Sequence, residues 1–192
     1  MTDHRPARPK VFGLGLSRTG TRSLTTALHT LGFDVAHYPC DPGTYQALVE
    51  GKARFPLLAE RDGITDITVA PYYEELDLAW PGAKFILTVR EEQSWLRSCA
   101  HHWERPVTSK AEPDSLYVRL QHFLRAAVYG CHAFDADRFA RVHRRHVEQV
   151  RRHFDGRDDD LLVLDVAGGQ GYERLAPFLG VPAPDEPFPG SR

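Results

Sequence analysis

Lysine is scarce in this chain of 192 residues: it occurs only at 10, 52, 84 and 110, so nearly all of the 24 basic residues are arginine. None of the four lies in the glycine-bearing stretch near the N-terminus, which removes the residue that an ATP- or GTP-binding loop needs. Charge of either sign is in balance, with a formal net charge of -2 at pH 7. That excludes a general electrostatic attraction to nucleic acid or to an anionic membrane surface. Cysteine is rare as well. Cys40, Cys99 and Cys131 are scattered and odd in number, without metal-ligand spacing, which excludes a disulfide framework and fits free thiols packed in a reducing cytosol. Long apolar runs are missing, and "MTDHRPARPK" carries no hydrophobic stretch behind its charges, so neither export nor anchoring is expected.

What is present describes an ordinary globular composition, with 42% hydrophobic and 10% aromatic residues. The length suits one core, so a single domain over residues 1–192 is expected. "VFGLGL" reads as a buried strand, and Leu24, Ala27, Leu28 and Leu31 recur at helical spacing from Thr21 to Leu31. "FDVAHY" and "GITDIT" are short strand candidates. Asp41 is placed to cap a helix through "PGTYQALVEG", and Pro71 to open another through "PYYEELDLAW". "AKFILTV" is the clearest inner strand, and "EEQSWLRSCAHHW" a helix with an acidic first turn. Two longer helices are expected, Ser115 to Ala133 and a basic one from Ala136 to Phe154 whose arginines face solvent. "LLVLDV" and "YERLAPFLG" add a last buried strand and helix. Strand–helix alternation predicts an α/β fold, a central parallel sheet between helical layers, with ligands beyond the carboxyl ends of its strands.

"VFGLGLSRTGTRSL" is the first candidate site. A dinucleotide fingerprint fails because the third glycine is displaced to Gly20. The Walker spacing fits through Gly15 and Gly20, but Thr21 stands in place of the lysine and Arg22 in place of the magnesium-binding hydroxyl, against a nucleotide kinase or NTPase. What remains is a helix N-terminus with hydroxyls from Ser17, Thr19, Thr21 and Ser23 and guanidinium groups from Arg18 and Arg22, suited to an anion held without metal. Gly13, Gly15 and Gly20 alone are equally consistent with a tight turn capped by Thr19 or Thr21.

The second motif is "FILTVREEQSWLRS", which ends a buried strand on Arg90 and puts Ser98 on the next helix. "RTGTRSL" together with "VREEQSWLRS" resembles the sulfotransferases that use 3'-phosphoadenosine-5'-phosphosulfate (PAPS), and "TDITVAPYYEELDLAWPGAKFILTVR" and "LLVLDVAGGQGYERLAPFLGVPAPDEPFP" extend the resemblance over most of the chain. It implies a P-loop NTPase-like three-layer sandwich and transfer of a sulfuryl group from PAPS to a hydroxyl or amine of a small-molecule acceptor, with no metal. By that resemblance Arg18 supports the departing oxygen, Thr19, Gly20, Thr21, Arg22 and Ser23 cradle the 5'-phosphosulfate, and Arg90 and Ser98 recognise the 3'-phosphate. Asp66 aligns with an aspartate that serves as base, with Thr68 where the family carries proline; His37 and His102 are reserve bases. Tyr72, Tyr73, Trp95 and Trp103 are aromatic candidates for an acceptor wall, or for the core. The C-terminal Arg-Lys-Gly clamp of many sulfotransferases is absent, and Gly190-Ser191-Arg192 stands there instead. That absence leaves a PAP/PAPS-binding module without turnover as a third reading. The expected setting is cytoplasmic, without nucleic-acid or membrane partners. Oligomeric state stays open, a homodimer being one arrangement allowed.

Overall fold

The computed structural model describes residues 8–106 and 111–190. Five strands form one all-parallel sheet in the order β2-β3-β1-β4-β5: β1 Val11–Gly13, β2 Val35–His37, β3 Gly63–Thr65, β4 Lys84–Thr88 and β5 Leu161–Leu164. The sheet is thus the parallel, helix-flanked one that strand–helix alternation predicts. β1 and β4 are direct neighbours, so the glycine-bearing loop after β1 and the Arg90 turn after β4 open into one crevice.

Alternation along the strands sorts the two faces. Phe12 on β1 with Phe85 and Leu87 on β4 join one core, while Val11 and Ile86 join the other. Helices α1 (Thr21–Thr30) and α7 (Tyr172–Phe178) cover the second face through Leu24, Ala27, Leu28, Leu175 and Ala176. The first face is covered by α2 (Pro42–Val49), α4 (Glu92–Trp103), α5 (Leu116–Leu124) and α6 (Ala136–His153), with Trp95, Leu120, Leu124, Phe139 and Val150 fully buried. Each large side chain buried there contributes roughly 1.5–3 kcal/mol of transfer free energy. A 3₁₀ turn, Ala70–Tyr72, leads into α3 (Tyr73–Ala79).

Local signals place these helices. Asp41 accepts from the Thr44 amide at 2.9 Å with Pro42 in the first turn of α2, and Glu91 caps α4 by accepting from the Gln93 and Ser94 amides. Asp135 caps α6, whose Phe139, Ala140, Val142 and Val150 face inward while most of its arginines face solvent.

Two expectations need correction. The stretch from Ser115 to Ala133 is not one helix: α5 stops at Leu124, a π turn spans Arg125–Tyr129, and Gly130 ends it at φ 68°. The extra residue of the π turn directs both Arg125 and Tyr129 into the protein. The cysteines are also not uniformly packed. Cys99 is buried, with its thiol pushed up to about 12 by that burial, whereas Cys131 is half-buried and Cys40 is exposed. No helix among the described residues is long and apolar enough to cross a membrane.

Candidate active site

The chain leaves β1 at Gly13 and must turn tightly into α1. Gly15 allows this because a Cβ there would lie 1.8 Å from the Thr88 hydroxyl on β4. Thr19 closes the turn: its hydroxyl sits 2.7 Å from both the Leu16 carbonyl and the Thr88 hydroxyl, and its amide donates to Leu16. Expected to touch a phosphate, Thr19 is instead 1% exposed and spends both its donors on the loop. Gly20, at φ 101°, then starts α1 with no side-chain cap. Neither Thr19 nor Thr21 caps this helix. The amides at its first turn, over Thr21, Arg22 and Ser23, therefore remain available, and they carry the positive end of the helix dipole.

Three helices hold the loop backbone from the first face. The Trp95 indole donates to the Ser17 carbonyl at 2.8 Å, the Ser17 amide donates to the Tyr129 hydroxyl at 3.1 Å, and His146 Nε2 lies 2.7 Å from the Leu14 carbonyl. Burial lowers His146 below the usual histidine range, so the ring is neutral and donates through Nε2. Trp95 is therefore a loop anchor rather than an acceptor wall. Tyr72 packs edge-on against Phe55, and Tyr73 against His153.

Arg18 and Arg90 share the crevice. Arg18 Nε donates to the Ser98 hydroxyl at 3.0 Å, Arg90 Nε donates to the Ser94 hydroxyl at 3.0 Å, and Arg90 also reaches the Arg18 carbonyl at 3.4 Å. Neither guanidinium forms a salt bridge among the described residues, although the Glu91 carboxylate lies within electrostatic reach of Arg90. Arg18 holds φ 73°, a left-handed conformation that costs a non-glycine residue about 1 kcal/mol or more. Ser94 was not anticipated from sequence; its spacing of four from Arg90 across the start of α4 was the available signal. Arg22 is exposed and Ser23 buried, both in the first turn of α1.

Asp66 follows β3 and is 7% exposed, at φ 79°. Its Oδ2 accepts from the Thr21 hydroxyl at 2.8 Å. Oδ1 accepts from the Ile67 amide at 2.6 Å and from the Ser17 hydroxyl at 3.4 Å. His37 Nε2 lies 3.4 Å from Oδ2, and its Nδ1 faces the Thr65 and Thr25 hydroxyls. Burial lowers His37 against the opposing pull of Asp66. Asp66, His37, Thr21 and Ser17 thus form one group, whereas His102 sits on the exposed part of α4 against Trp103. No group of three or more metal-ligating side chains occurs among the described residues. Of the clamp position, Ser191 and Arg192 lie outside the described residues.

A parallel sheet whose first strand feeds an uncapped helix N-terminus, with Arg18 and Arg90 beside it at the carboxyl ends of β1 and β4, defines an α/β protein with a strand–loop–helix crevice. The sulfotransferase domain family matches residues 10–192, and the chain belongs to that family. It is similar to Ava biosynthesis cluster protein M of Aspergillus versicolor, at 29% identity over 210 residues, covering 94% of this chain and 79% of that relative. Among solved structures it resembles a gluconokinase from Sinorhizobium meliloti 1021 at a TM-score of 0.34 and 14% identity, covering 78% of this chain and 97% of the other.

Proposed function

We propose that the chain, as one domain over residues 1–192, transfers a sulfuryl group from PAPS to a hydroxyl or amine of a small-molecule acceptor, without metal. The observation that carries this reading is the uncapped N-terminus of α1 beside two guanidinium groups, Arg18 and Arg90, that form no salt bridge among the described residues. Such a seat fits a doubly anionic nucleotide: helix amides and both arginines supply donors and positive charge, and Ser94 and Ser98 supply hydroxyls. The amides of Thr21, Arg22 and Ser23, following Gly20, would hold the 5'-phosphosulfate with Arg18, and Arg90 and Ser98 the 3'-phosphate. Thr19 contributes by fixing the loop, not by contact.

PAPS supplies an activated sulfuryl group whose sulfur–oxygen bond to phosphate breaks as the acceptor's bond to sulfur forms, leaving 3',5'-adenosine bisphosphate. The residues of this chain do the rest. Arg18 neutralises charge on the departing oxygen, as preorganised donors do in phosphoryl transfer. Asp66 takes the proton that the acceptor loses, and it stands beside the loop because Thr21 and Ser17 bind its carboxylate. The half-buried His37 beside it, its charged form disfavoured by that burial, orients it.

A calorimetric titration tests the reading. Metal-independent binding of 3',5'-adenosine bisphosphate with no response to Mg-ATP is expected; binding of Mg-ATP alone would overturn it in favour of a nucleotide kinase or NTPase. A second reading, a PAP/PAPS-binding module without turnover, is favoured by one observation: both Asp66 oxygens already accept hydrogen bonds. Turnover of labelled PAPS with an acceptor library separates the two.

A further inference from the structure

Arg125 is 8% exposed, yet it has no carboxylate partner among the described residues. Its guanidinium stacks over the Trp103 ring at 4.9 Å from the centroid, and its Nη1 donates to the His132 carbonyl at 3.2 Å. Its Nε–H has no hydrogen-bond partner among the described residues. Neither has the buried indole N–H of Trp103 beneath it, nor the buried hydroxyl of Tyr38. Tyr38 follows β2, with its amide on the Thr65 carbonyl next to Asp66, and lies within electrostatic reach of both the Asp66 carboxylate and the Arg125 guanidinium. Tyr117 and Tyr129 lie within electrostatic reach of the same guanidinium.

Two of these unmet atoms, Nε of Arg125 and the indole nitrogen of Trp103, can only donate, and the Tyr38 hydroxyl can donate as well. A buried unpaired guanidinium costs several kcal/mol, and each buried donor left without an acceptor costs about 1–3 kcal/mol. Water is a poor answer for a cation, since it brings no charge. What the cluster lacks is an acceptor carrying negative charge, and a guanidinium edge matches a planar carboxylate.

We infer that the molecule receiving the sulfuryl group carries a carboxylate, which the Nε edge of Arg125 binds together with the Tyr38 hydroxyl and the Trp103 indole N–H. This rests on the sulfotransferase reading, since it takes Asp66 as the place where the same molecule presents its hydroxyl or amine. The half-buried Trp103 ring, held edge to face at 5.2 Å against the fully buried Tyr129, supplies the apolar surface for the body between the two groups. The π turn makes the arrangement possible by carrying both Arg125 and Tyr129 inward.

The test is calorimetric, on the full chain, with benzoate and its neutral counterpart benzamide as probes. Each is titrated with and without saturating 3',5'-adenosine bisphosphate. Benzoate is expected to bind at least about tenfold more tightly than benzamide. Arg125→Met is expected to abolish that preference while changing bisphosphate affinity less than about twofold, and to melt no lower than wild type because it removes a buried unpaired charge. Tyr38→Phe is expected to weaken benzoate severalfold. Equal binding of the two probes by wild type, the result for a site filled by water alone, overturns the inference; so does an undiminished preference in Arg125→Met. Should that variant fail to fold, the wild-type comparison and Tyr38→Phe still decide. Failure of the bisphosphate to bind would count against the sulfotransferase reading alone, because the benzoate preference is read on the ligand-free protein too.

Discussion

Arg18 and Ser98, 80 positions apart, meet through a hydrogen bond of 3.0 Å from Nε to the hydroxyl. The bond ties the turn before α1 to the middle of α4, so the residue expected at the 5'-end of the nucleotide and the one expected at its 3'-phosphate already touch. Ser98→Ala should weaken binding of 3',5'-adenosine bisphosphate by roughly 1.5–3 kcal/mol, the range for a hydrogen bond to a charged group. It should weaken 5'-AMP much less. Calorimetry on the two nucleotides checks this, and an equal loss for both would place Ser98 away from the 3'-phosphate.

The base role proposed for Asp66 and its hydrogen bonds to the loop are separable by substitution. Asparagine tolerates its left-handed φ and keeps an oxygen for the Thr21 hydroxyl, so Asp66→Asn should bind the bisphosphate normally. Its kcat should fall by about 10²- to 10⁴-fold, as for loss of a general base. Asp66→Ala should lose nucleotide affinity too, because Thr21 and Ser17 lose their partner. Full turnover in Asp66→Asn would remove the residue from the chemistry.

The loop latch gives a paired prediction. A Cβ at Gly15 meets the Thr88 hydroxyl at 1.8 Å, so Gly15→Ala must push aside the group that holds Thr19. A loss of about 1–3 kcal/mol in unfolding free energy is expected, with weaker bisphosphate binding. Adding Thr88→Ala should recover part of that loss. Independent, additive losses in the double variant would show that the contact is not the cause.

His37, His143 and His146 all lie below the ordinary histidine value of 6.5 because burial penalises the charged ring. The folded chain therefore binds fewer protons than the unfolded one between the lowered values and 6.5. Their contribution to stability is complete above 6.5 and shrinks as pH falls below it, by about 1.4 kcal/mol per pH unit for each ring. Urea denaturation from pH 7.5 to 5 should show this slope. His146→Gln, which keeps a donor for the Leu14 carbonyl, should reduce it by about one proton's worth.

The sheet was legible wherever a short apolar run met a turn signal. Phe85 to Leu87 has no polar interruption on either face, and Asp41 before Pro42 can do little but start a helix. Parallelism followed from the helices between strands, but the strand order depends on which hydrophobic faces meet, and that lies in no local pattern. The π turn was not legible because Leu116 to Tyr129 has the same apolar spacing whether its bonds run to the fourth or the fifth residue. The place of Thr19 was not legible for a related reason: its hydroxyl is polar in the sequence, and Thr88 on another strand meets it. Motif spacing placed Arg18, Arg90 and Ser98 in one crevice, whereas the bonds among them and with Ser94 depend on side-chain reach.

Tyr129 contacts both halves of the site with a single side chain. Its hydroxyl accepts from Ser17 in the loop after β1, and its ring lies against Trp103 beneath Arg125. A molecule seated on Arg125 would act, through Trp103, on a ring whose far end sets the position of the loop. Linkage makes any such effect reciprocal: whatever factor an occupied acceptor seat imposes on nucleotide affinity, the nucleotide must return to the acceptor. The two substrates would then report on each other through one phenol.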